Sequence, residues 1–124
     1  MNYLLDTHVL RWALGEPGRL TAAAAAAIRN PNHAVFVSAV TSVEIAIKRR
    51  LGKLTAPQRL WKEIGRRGFQ ELPLGWAHGE KLAGLPLHHH DPFDRMLVAQ
   101  AKVEGLTLVS NDPLVERYEV PILW

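Results

Sequence analysis

The sequence predicts an α/β fold, a three-layer α/β/α sandwich around a mostly parallel central sheet. Short apolar runs alternate along the chain with longer amphipathic stretches, and strands separated by helices usually form a parallel sheet with helices on both faces. The chain has 124 residues, 48% of them hydrophobic, which is enough for one buried core. We therefore expect a single domain over residues 1–124.

The first half of the chain predicts two strands and four helices. The expected elements are a strand at Asn2–Leu5, helices at Thr7–Leu14 and Thr21–Asn30, a strand at Val35–Ser38, and helices at Thr41–Leu51 and Pro57–Arg67. Alanine favours the second helix and Pro31 ends it. Thr41 and Glu44 are spaced as a capping box for the third helix, and Gly52 closes it. Pro57 is acceptable in a first helical turn.

The second half continues the alternation. The expected elements are a short strand at Gln70–Leu72, helices at Trp76–Gly84 and Pro92–Glu104, a strand at Leu106–Val109, a short helix at Pro113–Tyr118 and a last strand at Val120–Leu123. Gly105 marks the end of the long helix. Pro92 and Pro113 suit the first turns of the helices that they open.

The composition excludes several classes of protein. The chain has no cysteine, which excludes disulfides, zinc–thiolate sites and cysteine nucleophiles. No apolar run reaches the length of a membrane span, and the N-terminus lacks the layout of a signal peptide. We therefore expect a cytoplasmic protein that does not associate with membranes.

Positive charge is concentrated in one segment. The whole chain carries a formal net charge of +3, but residues 48–67 hold eight basic residues against the single acid Glu63, a net charge of +7. Such density is typical of a surface that binds a polyanion, although two solvated helix faces would have the same composition. The candidates for phosphate contact are Lys48, Arg49, Arg50, Arg66 and Arg67.

Four acids, Asp6, Glu44, Asp94 and Asp112, lie close to predicted helix starts. If the strands are parallel, the acids that follow strands emerge at one edge of the sheet, and helices deliver the others there. Carboxylates brought together repel one another unless a cation lies between them. Oxygen ligands of this kind suit Mg²⁺ or Mn²⁺. The pattern therefore predicts a metal site for phosphoryl chemistry.

Each acid also has a structural explanation. Asp6, Asp91 and Asp112 are all placed to act as helix N-caps, and Glu44 could be only the returning half of its capping box. Capping accounts fully for Asp91, which puts Asp94 at the third helical position. The metal hypothesis therefore depends on the coincidence of acids at successive strand ends.

Two other residue types invite functional interpretations. Neighbouring side chains point apart, so His88, His89 and His90 are interpreted as an exposed loop and not as a transition-metal site. The four tryptophans are interpreted as core or interface packing instead of base-stacking platforms; they are Trp12, Trp61, Trp76 and Trp124.

Four short motifs, in this order and spacing, resemble those of PIN-domain nucleases from residue 2 to the C-terminus. They are Leu4-Leu5-Asp6-Thr7-His8, Val43-Glu44-Ile45-Ala46, Asp94-Arg95-Met96-Leu97-Val98-Ala99-Gln100-Ala101 and Leu108-Val109-Ser110-Asn111-Asp112. Each motif alone is weak, but the ordered set is specific. The run Asp91–Arg95 and the terminal Leu123-Trp124 make the chain most similar to VapC-type toxins.

The resemblance implies a PIN-like fold and a Mg²⁺- or Mn²⁺-dependent endoribonuclease, the toxin of a type II toxin–antitoxin system. Metal-activated water would cleave a structured RNA such as transfer RNA, and the partners would be a VapB-type antitoxin and a second copy of the chain. Asp6, Glu44, Asp94 and Asp112 would be the catalytic and metal-binding quartet. Asp6 and Asp94 are the expected direct ligands, with accessory hydroxyls from Thr7 and Ser110; Ser110 replaces the family's more usual threonine.

Two alternatives remain. A phosphoacceptor receiver domain has a similar length, a parallel sheet and an acidic magnesium site, but it would usually place adjacent acids after the first strand, where this chain has only Asp6. A non-catalytic RNA-binding PIN-like protein would retain the basic segment without cleaving RNA.

Overall fold

The computed structural model describes residues 1–124. The strands are β1 (Asn2–Leu5), β2 (Ala34–Ser38), β3 (Gln70–Leu72), β4 (Thr107–Val109) and β5 (Ile122–Leu123). The helices are α1 (Thr7–Gly15), α2 (Ala22–Arg29), α3 (Ala39–Arg50), α4 (Leu60–Arg66), α5 (Trp76–Ala83) and α6 (Pro92–Glu104), with 3₁₀ turns at Pro17–Arg19 and Val115–Tyr118. No helix combines the length and the apolar character needed to cross a membrane.

The five strands form one sheet in the order β3-β2-β1-β4-β5, and every pair is parallel. The central strand β1 pairs through Tyr3 with Val35 on one side and Thr107 on the other. The predicted parallel α/β sheet is confirmed. The receiver alternative is wrong, because receiver-type sheets have the strand order 2-1-3-4-5.

Alternation along β1 builds two cores. Leu4 is buried among residues of α6, including Leu97 and Val98. Tyr3 and Leu5 point to the opposite face and are buried with residues of α1, α2 and α4. Successive side chains of a strand face opposite sides of the sheet, so helices cover both faces and the molecule has three layers.

The start of α3 differs from the prediction. The helix begins at Ala39, and Ser38 is its N-cap, accepting a hydrogen bond from Val40 N at 2.9 Å. The predicted capping box of Thr41 and Glu44 is therefore wrong, because β2 runs directly into the helix and a serine caps it earlier. Glu44 consequently lies in the second turn of α3 and not in the first.

Other boundaries move by short distances. The helix predicted from Pro57 begins at Leu60, and the short helix predicted from Pro113 is a 3₁₀ turn at Val115–Tyr118.

The tryptophans differ in their packing. The expectation of core packing is wrong for Trp76, which is 98% exposed. Trp12 and Trp124 pack against each other, with ring centroids 5.8 Å apart.

Candidate metal centre

The four predicted acids gather at the carboxyl edge of the sheet, beside the point where the strand order reverses between β1 and β4. Asp6 directly follows β1, and Asp112 lies just after β4. Glu44 projects from α3, and Asp94 projects from the first turn of α6. The charges of Glu44 and Asp6 act on the carboxyl group of Asp94, and the charge of Asp112 acts on Asp6. Ligand sites of open α/β sheets lie at such switch points.

Asp6 is both a helix cap and a member of this cluster. Its Oδ1 accepts a hydrogen bond from Val9 N at 2.8 Å, so its predicted capping role is confirmed. The residue is only 5% exposed. Burial raises the pKa of Asp6, although the hydroxyl of Ser110 and the amide of Val9 act to lower it. The charged form of Asp6 is therefore costly in this position, and a nearby cation would favour it.

Glu44 is buried, and both of its oxygens have partners. Thr7 donates its hydroxyl proton to Oε1 at 2.6 Å, and Lys48 Nζ lies 2.5 Å from Oε2. The Thr7 hydroxyl also lies 3.2 Å from that of Thr41. Although burial acts to lower it, the hydrogen bond and charge of Glu44 raise the pKa of Lys48. Thr7 and Lys48 thus fix the position of the Glu44 carboxyl group. The buried contact between Thr41 and Thr7 is one that the sequence did not indicate.

The pKa of Asp94, like that of Asp6, is raised. Burial, followed by the charges of Asp91 and Glu44, raises the pKa of Asp94 to about 7. Its Oδ2 lies 3.2 Å from His89 Nε2, whereas its Oδ1 accepts no hydrogen bond. A carboxylate oxygen without a donor, among acids that repel it, is suited to a hard divalent cation. The donor set therefore fits Mg²⁺ or Mn²⁺.

Asp112 is held by two donors. Leu114 N donates to Oδ1 at 2.9 Å, and His89 Nε2 donates to Oδ2 at 2.8 Å. Ser110 accepts a hydrogen bond from the Asp112 amide at 3.1 Å, which keeps the turn after β4 close to Asp6. The predicted N-cap role of Asp112 is wrong, because the following 3₁₀ turn begins later, at Val115, and its N-cap is Leu114 without a side-chain cap. The contact between Asp112 and Leu114 N closes the turn that precedes it.

His89 is the residue that sequence reasoning missed. The expectation of an exposed histidine loop is wrong for His89, whose side chain is 13% exposed and lies between Asp94 and Asp112. The expectation that consecutive histidines would not share a site holds, because His88 packs against Tyr118 and His90 is exposed. The sequence feature that could have indicated this role is the position of His89, two residues before Asp91, the N-cap of α6.

Asp91 caps α6 as predicted. Its Oδ1 accepts hydrogen bonds from Phe93 N at 2.8 Å and Asp94 N at 3.3 Å. It also has two further contacts. Its Oδ2 lies 3.8 Å from Lys48 Nζ, and its amide donates to His89 Nδ1 at 3.0 Å. Asp91 therefore connects the cap of α6 to the charged groups around Asp94.

The five predicted RNA-contacting residues differ in the groups that they contact. Arg49 donates to the carbonyl oxygens of Ala56 and Pro57, both at 2.9 Å, and Arg67 donates to Ala13 O at 3.2 Å. Arg49 thus stabilises the loop after α3, and Arg67 contacts the last turn of α1. Arg66 pairs with Glu63 in the same helix, Arg50 is exposed without a side-chain partner, and Lys48 lies against the acids.

Comparisons with known proteins give a family and a fold. The family model described as PIN domain matches residues 3–120. No curated protein matches the chain. The structure is similar to VapBC2 from Rickettsia felis bound to a promoter DNA fragment, with a TM-score of 0.74 and 14% identity, covering 99% of this chain and 98% of that chain. It is also similar to DNA-bound VapBC from Salmonella typhimurium, with a TM-score of 0.71 and 19% identity, covering 99% and 97%. For FitAcB from Neisseria gonorrhoeae the TM-score is 0.60 at 20% identity, covering 98% and 96%.

Proposed function

Because the chain belongs to the PIN domain family, we propose that it is a divalent-metal-dependent endoribonuclease, the toxin of a type II toxin–antitoxin system. One observation carries this proposal. Asp6, Glu44 and Asp94 come from separate elements, yet burial and neighbouring acids (Asp91 first, then Glu44 and Asp6) raise the pKa of Asp94 to about 7. A carboxylate oxygen of Asp112 lies within 4.8 Å of one of Asp94. A fold that gathers acids at such a cost is explained if a cation binds between them.

The four acids would divide the work at the metal. Asp94 and Asp6 would be direct ligands of Mg²⁺ or Mn²⁺. Asp94 Oδ1 accepts no hydrogen bond, and the one backbone amide that donates to Asp6 contacts Oδ1, which leaves Oδ2 without a backbone donor. Glu44, whose oxygens are engaged by Thr7 and Lys48, would orient water, and so would Asp112. When bound, the metal lowers the pKa of a coordinated water and neutralises charge on the scissile phosphate.

The basic segment would bind the RNA backbone. Lys48 lies against Glu44 and Asp91, so a phosphate that reaches the acids would also reach its ammonium group. Arg50 is exposed without a partner and can contact the RNA directly, whereas Arg49 and Arg67 would give up contacts with backbone carbonyls to do so. The substrate would be a structured RNA such as transfer RNA.

The proposed partners are supported by the structural neighbours, which are described as VapBC assemblies bound to DNA. A VapB-type antitoxin is the proposed inhibitor, and a homodimer of this single-domain chain is the proposed toxin assembly. Both partners and the RNA substrate imply a cytoplasmic location.

The test is an RNA cleavage assay with purified protein in Mg²⁺, in Mn²⁺ and in a chelator. The wild-type chain should cleave only with metal, and Asp94→Asn should bind RNA but not cleave it. Glu80→Gln, which changes an exposed acid on α5 that has no partner, is the control and should cleave like the wild type. Binding of RNA without cleavage in any metal would contradict the proposal and favour a non-catalytic RNA-binding protein.

A further inference from the structure

We propose that His89 positions the carboxylate of Asp112, beside Asp94, through a fixed Nε2–H, and that it is not itself a metal ligand. The proton would be held on Nε2 by the backbone of Asp91. This inference rests on the proposed metal-dependent function and deepens it, because it assigns a role to a residue outside the acidic quartet.

The two ring nitrogens of His89 face different partners. The amide of Asp91 lies 3.0 Å from Nδ1. A backbone amide can only donate, so Nδ1 must accept, and the proton of the neutral ring is then on Nε2. That nitrogen lies 2.8 Å from Asp112 Oδ2 and 3.2 Å from Asp94 Oδ2. The Nε2–H group therefore donates to Asp112, and Asp94 lies at ion-pair distance from the same nitrogen.

The same geometry argues against metal ligation by His89. His89, Asp94 and Asp112 have the composition of a histidine–carboxylate metal site, and one ligand atom from each lies within 4.8 Å of the others. Binding through Nε2, however, would require a lone pair there and would move the proton to Nδ1. Two donors would then face each other across 3.0 Å, and the Asp91 amide would lose its acceptor. The tautomer that the backbone favours makes Nε2 a donor.

The loop that carries His89 is fixed independently of any metal. The amides of His88 and His89 donate to the hydroxyl of Tyr118 at 3.1 and 2.8 Å, and Tyr118 is only 2% exposed. Arg95 donates to Pro86 O at 2.9 Å. Tyr118 thus holds the backbone of His89, and Arg95 holds the segment before it.

These contacts orient the carboxylate of Asp112 before a metal binds. Leu114 N and His89 Nε2 each donate to one of its oxygens, so rotation of the carboxylate would break two hydrogen bonds. Donors to ligating or water-orienting carboxylates commonly change metal affinity or activity by about 10- to 100-fold when they are removed. His89 is therefore expected to act through Asp112.

The first test is NMR spectroscopy of the metal-free full chain labelled with ¹⁵N-histidine, with the His89 signals assigned by their loss in His89→Gln. The expected result is a neutral ring protonated on Nε2. A ring protonated on Nδ1 would overturn the proposal. This readout does not depend on nuclease activity.

The second test is Mn²⁺ binding followed by electron paramagnetic resonance. His89→Ala should weaken binding by about 10-fold, His89→Gln should recover part of that loss because its amide can replace the Nε2–H donor, and the exposed His90→Ala should match the wild type. Pulsed spectra of the wild type should show no directly bound imidazole nitrogen. A bound nitrogen, or equal affinities for His89→Ala and the wild type, would refute the assignment. A wild-type chain that binds no Mn²⁺ would overturn the proposed function, and the NMR result would then decide the position of the proton alone.

Discussion

Replacing Asp94 by asparagine is expected to stabilise the metal-free protein while it removes the response to metal. Asparagine keeps the size of the side chain and its place in the first turn of α6, but it cannot ionise. The change therefore removes the charge that Asp91 and Glu44 repel. A site built to bind a cation should gain stability when one of its acids is neutralised.

The magnitude follows from the pKa of Asp94, which is raised from an ordinary 3.8 to about 7. At about 1.4 kcal/mol per pKa unit, the upper limit is on the order of 4 kcal/mol. Because the folded pKa lies above the unfolded one, the folded chain binds the extra proton between these values. The stability that this proton on Asp94 contributes to the folded chain is fully present below pH 3.8 and is lost as the pH rises through about 7. Relaxation of neighbouring acids should reduce the observed gain to about half of the limit.

The assay is thermal unfolding in a chelator across this pH range, for the wild type, Asp94→Asn and the control Glu80→Gln. Above neutral pH, Asp94→Asn should unfold roughly 5–10 °C higher than the wild type, since 1 kcal/mol corresponds to roughly 3–5 °C for a chain of this size. The gain should vanish near pH 4. With saturating Mn²⁺ the order should invert, because only the wild type gains binding energy. A stabilisation by Asp94→Asn that is the same at all pH values would refute the reasoning.

Variants at three further positions test neighbouring contacts. Asp6→Asn should abolish cleavage while keeping the α1 cap, whereas Asp6→Ala should also lower the free energy of unfolding by about 1 kcal/mol; cleavage by either variant would remove Asp6 from the site. Thr7→Val should cost about 2 kcal/mol in chemical denaturation, because buried Glu44 loses its donor, and an unchanged midpoint would contradict this. Lys48→Met should tighten Mn²⁺ binding in calorimetric titrations and weaken RNA binding, with a salt dependence shallower by about 0.7 in log–log slope. An unchanged slope would show that Lys48 contacts no phosphate.

The sequence predicted the parallel sheet and the meeting of the four acids because both depend on local patterns. Asp6 and Asp112 follow apolar strands, and parallel strands bring their carboxyl ends to one edge. The position of Asp94 followed from the Asp91 cap. The predicted start of α3 was wrong because two possible caps, Ser38 and Thr41, lie close together in the sequence, and only packing determines which of them caps the helix.

Only the tertiary structure decided which groups control the charges of those acids. Thr7 and Lys48 share Glu44, Tyr118 fixes the backbone of His89, and His89 lies between Asp94 and Asp112. Thr7 is far from Glu44 in the chain, Tyr118 is far from His89, and the histidines look like an exposed loop, so no periodicity or capping rule connects these residues. Only Lys48, one helical turn after Glu44, could be paired with its acid from helix periodicity. Strand and helix patterns act over a few residues, whereas hydrogen bonds and burial depend on distances that exist only after the layers have packed. The sequence alone therefore determined the fold and the set of acids, and packing determined the pKa of Asp94 and the donors around it.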